Sequence, residues 1–193
     1  MNRRAFLRLT GSACAIATAG CSAPGRAEPL SNPSVAGESS QRKHLSFTAD
    51  GEEIATFGVD GRVDDGMIDL PIEIYHRDGT TVDAITLGVW MPPRDAPATV
   101  AVESPVSGDS SPPPELTLST PDRKQGQLIE ISDLDDLADE TISTLTLLVE
   151  PHPEATGTLS IDTEIELGGG GVLASDYTLS GRLDLEFPEF ASR

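Results

Sequence analysis

The stretch Leu159-Ser-Ile-Asp-Thr-Glu-Ile-Glu-Leu167, followed after a glycine run by Tyr177-Thr-Leu-Ser-Gly-Arg-Leu-Asp-Leu-Glu-Phe187, decides the fold. Leu159, Ile161, Ile165 and Leu167 alternate with Asp162, Glu164 and Glu166. Tyr177, Leu179, Leu183, Leu185 and Phe187 alternate with Thr178, Arg182, Asp184 and Glu186. Successive side chains of a strand point to opposite faces, so a period of two predicts strands with one apolar and one polar face. The glycines at 168–171 read as a flexible hairpin end joining these two strands. They do not read as a phosphate cradle, because no helical pattern follows them.

The same period extends through the chain from His44. Ile68, Leu70, Ile72 and Ile74 alternate with Asp69, Pro71, Glu73 and Tyr75, and Pro71 suggests an edge strand or a bulge. Further strands are expected at 45–49, 53–59, 82–91, 99–103, 116–120, 127–131 and 142–150, nine to eleven in all. Asp50-Gly51, Asp60-Gly61, Asp65-Gly66 and Asp78-Gly79 supply residues that accept positive φ, as hairpin turns require. Asp78-Gly79 is expected to join the Ile74 strand to the strand beginning near Val82. The proline-rich residues 104–114 read as an exposed loop. Residues 132–140 are the one helical candidate, with Ser132 as cap, Asp133 and Asp135 in the first turn, and Leu134 and Leu137 on one face.

Strands with one apolar face must bury those faces against one another, which predicts an all-β, antiparallel two-sheet sandwich with one short helix. The architecture resembles immunoglobulin-like domains. Their cysteine pair is not matched beside Trp90, so the topology stays open.

The N-terminus carries an address. Asn2-Arg3-Arg4-Ala5-Phe6-Leu7-Arg8 resembles the twin-arginine export consensus, with Arg3 and Arg4 as the pair its receptor reads. The apolar residues 9–20 are too short to span a hydrocarbon core of about 30 Å. They end in Thr18-Ala19-Gly20-Cys21, which resembles a lipobox, although Thr18 stands where Leu is usual. The resemblance implies removal of residues 1–20, lipid attachment at Cys21, and residence on the outer face of the cytoplasmic membrane. A simple secretory signal cut near Ala23 or Ala27 is the competing reading. Residues 21–43, with Pro24, Pro29 and Pro33 and no apolar period, read as a lipidated cysteine followed by a flexible linker, leaving 44–190 as the folded domain.

Composition narrows the partners. The 193 residues carry 13 Lys and Arg against 32 Asp and Glu, a net charge of −19. Loss of Arg3, Arg4 and Arg8 with the signal takes this to −22. Lys43 and Lys124 are the two lysines. An acid-rich, lysine-poor chain with a twin-arginine signal resembles exported proteins of salt-loving archaea, since at about 1 M salt a screening length of about 3 Å makes such a surface tolerable. Nucleic acid is excluded as a partner by repulsion. Cys14 lies within the signal, so the mature chain has no disulfide.

Haloarchaeal lipoproteins include blue copper sandwiches, whose site needs two His, a Cys and usually a Met. Here the one mature cysteine is the lipid site, and His44, His76 and His152 are widely spaced and read as solvated residues at boundaries or turns. No G-x-S-x-G, H-E-x-x-H, P-loop or dinucleotide fingerprint is present. The acidic groups at Asp60, Asp64 and Asp65, and at Asp133, Asp135, Asp136, Asp139 and Glu140, do not have EF-hand spacing and read as solvated surface. No catalytic, cofactor or metal residues are therefore expected. The leading expectation is a non-enzymatic, membrane-anchored surface module that contacts an envelope protein or a glycan. A small-ligand or cation-binding accessory of a transporter is the first alternative, and a hydrolase without a recognisable motif the second.

Overall fold

The computed structural model describes residues 27–92, 98–104, 115–121, 126–132, 134, 142–169 and 175–191. These hold thirteen strands: β1 Glu28–Leu30, β2 Ser34–Gly37, β3 Arg42–Ala49, β4 Glu52–Asp60, β5 Arg62–Asp64, β6 Met67–His76, β7 Thr80–Trp90, β8 Thr99–Ser104, β9 Glu115–Ser119, β10 Gln127–Ser132, β11 Ile142–Glu150, β12 Thr158–Gly169 and β13 Tyr177–Glu186. One sheet has the order β1-β13-β12-β7-β10-β9 and the other β2-β3-β4-β6-β11-β8, with β5 also paired to β6. All pairings are antiparallel except that of β1 with β13.

The alternation read in the sequence sets the layers. Leu159, Ile161, Ile165 and Leu167 of β12 and Leu179, Leu183 and Leu185 of β13 are buried. They pack in one core with Leu45, Phe47, Phe57, Leu70, Ile72 and Leu147 of the other sheet. The predicted β12–β13 hairpin runs in unbroken register from Thr158↔Glu186 to Leu167↔Tyr177. Trp90 falls between buried Val89 and Met91 and so belongs to the outer face of its sheet, unlike the core tryptophan of antibody domains.

The turn residues divide into two kinds. Asp50 and Gly51 (φ 52° and 83°) and Asp65 and Gly66 (φ 46° and 82°) form the expected tight hairpin turns. Asp78-Gly79 joins β6 to β7 as expected and Gly79 has φ 82°, but the two strands lie in opposite sheets, so this turn is a corner. Asp60-Gly61 is not a hairpin turn. It interrupts one extended run, because β4 and β5 lie successively along the same side of β6. A Cβ on Gly61 would come within 2.5 Å of Phe187 Cζ, so the glycine serves close packing of the second sheet against the end of β13.

Pro71 is corrected from an edge position to a central strand. β6 is flanked by β4 and β11, but the β4 ladder ends at Val59↔Ile72 and the β5 ladder begins at Arg62↔Asp69. Pro71 therefore stands opposite the interruption at Asp60-Gly61, where no ladder partner waits on that side for the N–H it lacks. Ser132, the expected helix cap, is the last residue of β10, and Leu134 is buried. The rest of the helical candidate lies outside the described residues, as do Arg3, Arg4, Cys21, residues 105–114 and residues 170–174.

The folded part begins earlier than residue 44, within the stretch expected to be linker. Residues 28–37 form two strands, one in each sheet: β1 pairs with β13 and β2 with β3. The crossing between them passes over the inner face of β13 at Gly181, where an added Cβ would meet Leu45 Cδ1 at 2.5 Å and Pro33 Cγ at 3.1 Å. Lys43 Nζ donates to the Asp184 carbonyl (2.6 Å) and Glu186 N–H to the Ser40 carbonyl (3.0 Å), tying the β2–β3 hairpin to the same strand. These segments carry no apolar period because each adds backbone pairing at an edge and few core side chains. The Gly181→Val substitution is expected to cost about 1–3 kcal/mol by overpacking this crossing, with little change in denaturant dependence, as read by urea unfolding.

Candidate functional site

Three polar constellations stand out, and burial separates them. The first corrects the expectation that all three histidines are solvated: His76 is 1% exposed, on the inner face of β6. Its Nδ1 lies 3.0 Å from Thr80 Oγ1, and that hydroxyl donates to the Arg77 carbonyl at 2.7 Å. Its single proton being used, the threonine oxygen accepts from His76 Nδ1–H. His76 Nε2 has no hydrogen-bond partner among the described residues. A hydroxyl beside an imidazole has the outline of a nucleophile and base. Here both groups are sealed in the interior and committed to locking the β6–β7 corner, with the Thr80 N–H also donating to Arg77 O at 3.1 Å.

The second lies on the outer face of β12 and β13. Ser160 Oγ donates to Asp184 Oδ1 (2.6 Å) and accepts from Arg182 Nη2 (2.7 Å), while Arg182 Nε reaches Asp184 Oδ1 at 3.1 Å. The register pairs Ser160 with Asp184 and Asp162 with Arg182, so the cluster follows directly from sheet alignment. Partial burial alone would raise the Asp184 pKa, but hydrogen bonds from Ser160 and Arg182, with the charges of Arg182 and Lys43, outweigh it and hold the carboxyl below its ordinary value of 3.8. The serine proton points at a carboxylate and no imidazole is present, so this is a cross-strand clamp.

A carboxyl whose pKa is depressed by folding stabilises the native state above its ordinary range and loses that contribution as pH falls through the folded value. Asp184→Asn is expected to flatten part of the decline in melting temperature between about pH 5 and about pH 2, with an effect below about 1 kcal/mol because the side chain is half exposed. Melting followed by circular dichroism across that range is the check.

The third is open to solvent. On the outer face of the second sheet a cleft of about 520 Å³ is lined from β3, β4, β5, β6 and the β2–β3 turn. That volume is within the usual range for ligand sites, about 300–1,000 Å³. Cross-strand register builds it in rows. His44 of β3 pairs with Gly58 of β4, which pairs with Glu73 of β6. One row away, Thr56 stands beside Tyr75, and on the other side Arg42 beside Asp60. Tyr75 is 44% exposed. Arg42 is held by Glu38 at 2.9 Å and Arg62 by Asp60 at 2.7 Å. Hydrogen bonding and then the charge of Asp60 raise the Arg62 pKa, so its guanidinium stays protonated.

Of the acidic residues singled out in the sequence, Asp60 belongs to this cleft, while Asp64 ends β5 and Asp65 occupies the turn that follows. No group of three or more His, Cys, Asp or Glu is placed to hold a metal ion among the described residues. Asp133, Asp135, Asp136, Asp139 and Glu140 lie outside the described residues. The cleft was missed in the sequence because it is assembled across strands. Its one local trace is Arg42-Lys43-His44, a basic run in an acid-rich chain.

Fold and outer-face cleft together define an antiparallel β-sandwich domain with a solvent-open sheet-face site. A family described as "Domain of unknown function (DUF8121)" matches residues 27–189, and the chain belongs to that family. The match begins one residue before β1. No curated protein matches the chain. Among solved structures, the chain is similar to the yeast delta-COP-I mu-homology domain, at 12% identity and TM-score 0.38, over 68% of this chain and 54% of that one. It thus spans about half the length of that yeast protein chain. It is also similar to a collagen-binding domain from a Staphylococcus aureus adhesin, at 9% identity and TM-score 0.37 over 65% of this chain and 97% of that one. A cohesin module from Clostridium perfringens gives 11% identity and TM-score 0.38, over 69% and 94%.

Proposed function

We propose that the protein is a membrane-anchored extracytoplasmic lipoprotein whose sandwich is a non-enzymatic interaction module, contacting an envelope protein or a glycan. The observation that carries this reading is the contrast between polar groups. Those with any catalytic outline, His76–Thr80 and Ser160–Asp184, are consumed in holding the fold, whereas the solvent-open polar groups form a shallow site on a sheet face.

The address supports the location. Arg3 and Arg4 mark export of a folded domain, and Cys21 takes the lipid. Two acyl chains hold a protein stably where one binds marginally, so a diacylglyceryl cysteine suffices as the anchor. With β1 starting at Glu28, only residues 22–27 separate the lipid from the sandwich. Six residues reach at most about 20 Å when fully extended. The domain is accordingly held against the membrane surface, much closer than a linker running to residue 43 would hold it.

Cys21→Ser is the direct test. The wild-type chain is expected to carry a lipid mass on Cys21 and partition into detergent, and the variant to appear unmodified in the medium. Release of both in unmodified form overturns the anchored reading.

A further inference from the structure

The cleft on the second sheet has an unusual charge balance for this chain. It is lined by Glu38, Asp60 and Glu73 and by the guanidinium groups of Arg42 and Arg62, with the stem of Lys43, whose ammonium turns away to the Asp184 carbonyl, in a protein of net charge −19. The opposite outer face is different: Asp162, Glu164, Glu166, Asp184 and Glu186 stand there with Arg182. The cleft floor is equally specific. Gly58 lies between His44 and Glu73 in one cross-strand row, and with neighbouring strands about 4.8 Å apart those two side chains rise about 10 Å from each other across a position that has none. A Cβ on Gly58 would meet nothing closer than the Glu73 carbonyl at 3.8 Å, so the notch is open space and no packing demands a glycine there.

We propose that this notch is a binding site for a neutral glycan. The inference rests on reading the domain as an interaction module and adds the site and the ligand class. An anion would have to displace Glu38 from Arg42 or Asp60 from Arg62, and would still face Glu73. A cation would meet the two guanidinium groups. A sugar hydroxyl uses both partners at once, accepting from a guanidinium and donating to a carboxylate, and charge-assisted hydrogen bonds are the strong ones. The Tyr75 ring on the rim, 44% exposed beside the Thr56 row, supplies an apolar surface with a polar tip against which the C–H face of a sugar ring packs. Gly58 leaves the depth for that ring to seat between His44 and Glu73.

The test titrates the full chain with soluble neutral hexasaccharides of glucose, mannose and galactose, followed by calorimetry. Saturable binding to at least one is expected, weakened about tenfold or more by Gly58→Thr, which fills the notch, and by Tyr75→Ala, and unchanged by Glu164→Gln on the opposite face. Gly58→Thr is expected to melt like the wild type, since the added atoms enter open space; Tyr75→Ala provides the second reading of the same site.

Failure of all three sugars to bind, or binding indifferent to both cleft variants, overturns the proposal. Binding confined to sulfated or uronic-acid polymers and abolished by salt does the same, because it identifies an anion site. Periodate treatment of solubilised envelope protein separates this proposal from the reading beneath it. Retention on the immobilised chain that survives destruction of sugars overturns the glycan assignment and leaves the interaction module standing. No retention before or after treatment, with no sugar bound, overturns both.

Discussion

The structure depends on the burial of two alternating apolar faces against each other. Cys14 and Cys21 lie outside the described residues, so no cysteine falls in the described strands, and no group of three or more His, Cys, Asp or Glu among the described residues is placed to hold a metal ion. Fully burying one Leu or Ile is worth about 1.5–3 kcal/mol, while an exposed ion pair contributes about 0–1 kcal/mol. The row of Leu45, Phe57, Leu70, Leu87, Ile161, Leu183 and their neighbours therefore outweighs the five surface ion pairs found among the described residues. With every second residue committed inward, the alternate set is free to vary on two outer faces. One face became a clamped acidic ladder and the other a cleft of paired charges.

The second requirement is closure at the N-terminus. A sandwich leaves four edges, and β1 and β2 occupy one edge of each sheet using a single ten-residue segment. That arrangement needs a place where the chain can step from one sheet to the other over β13, and Gly181 is that place. Pro29 sits in β1, at the sheet edge where a residue without an N–H is tolerated. The same segment sets the domain boundary, since the sandwich begins at Glu28.

Alternation made the ten longer strands legible, because period two is a local property. Hairpin turns at Asp50-Gly51 and Asp65-Gly66 were legible for the same reason. What escaped depended on non-local pairing. Pro-Leu at 29–30 and Ser-Val-Ala-Gly at 34–37 have no strand signature of their own and are strands because β13 and β3 present free edges to them. Pro71 looks like an edge residue until Gly61, ten positions earlier, is seen to interrupt the strand beside it. His76 was unreadable as buried because its burial follows from alternation with Ile72 and Ile74, while its sequence neighbours Arg77, Asp78 and Gly79 signal a turn. The cleft was hidden most completely: His44, Gly58 and Glu73 are adjacent only across the sheet.

Amide hydrogen exchange of the N-terminal segment tests most directly the claim that one continuous sandwich begins near residue 28 and is closed there on both sheets. Protection is expected at Leu30 and within Val35, Ala36 and Gly37, weaker than in β12 but well above that of an unstructured chain, and it should fall in Gly181→Val before the β12–β13 hairpin is affected. Exchange of residues 28–37 at the rate of free peptide, with β12 and β13 fully protected, would contradict the claim and restore a linker that runs to β3.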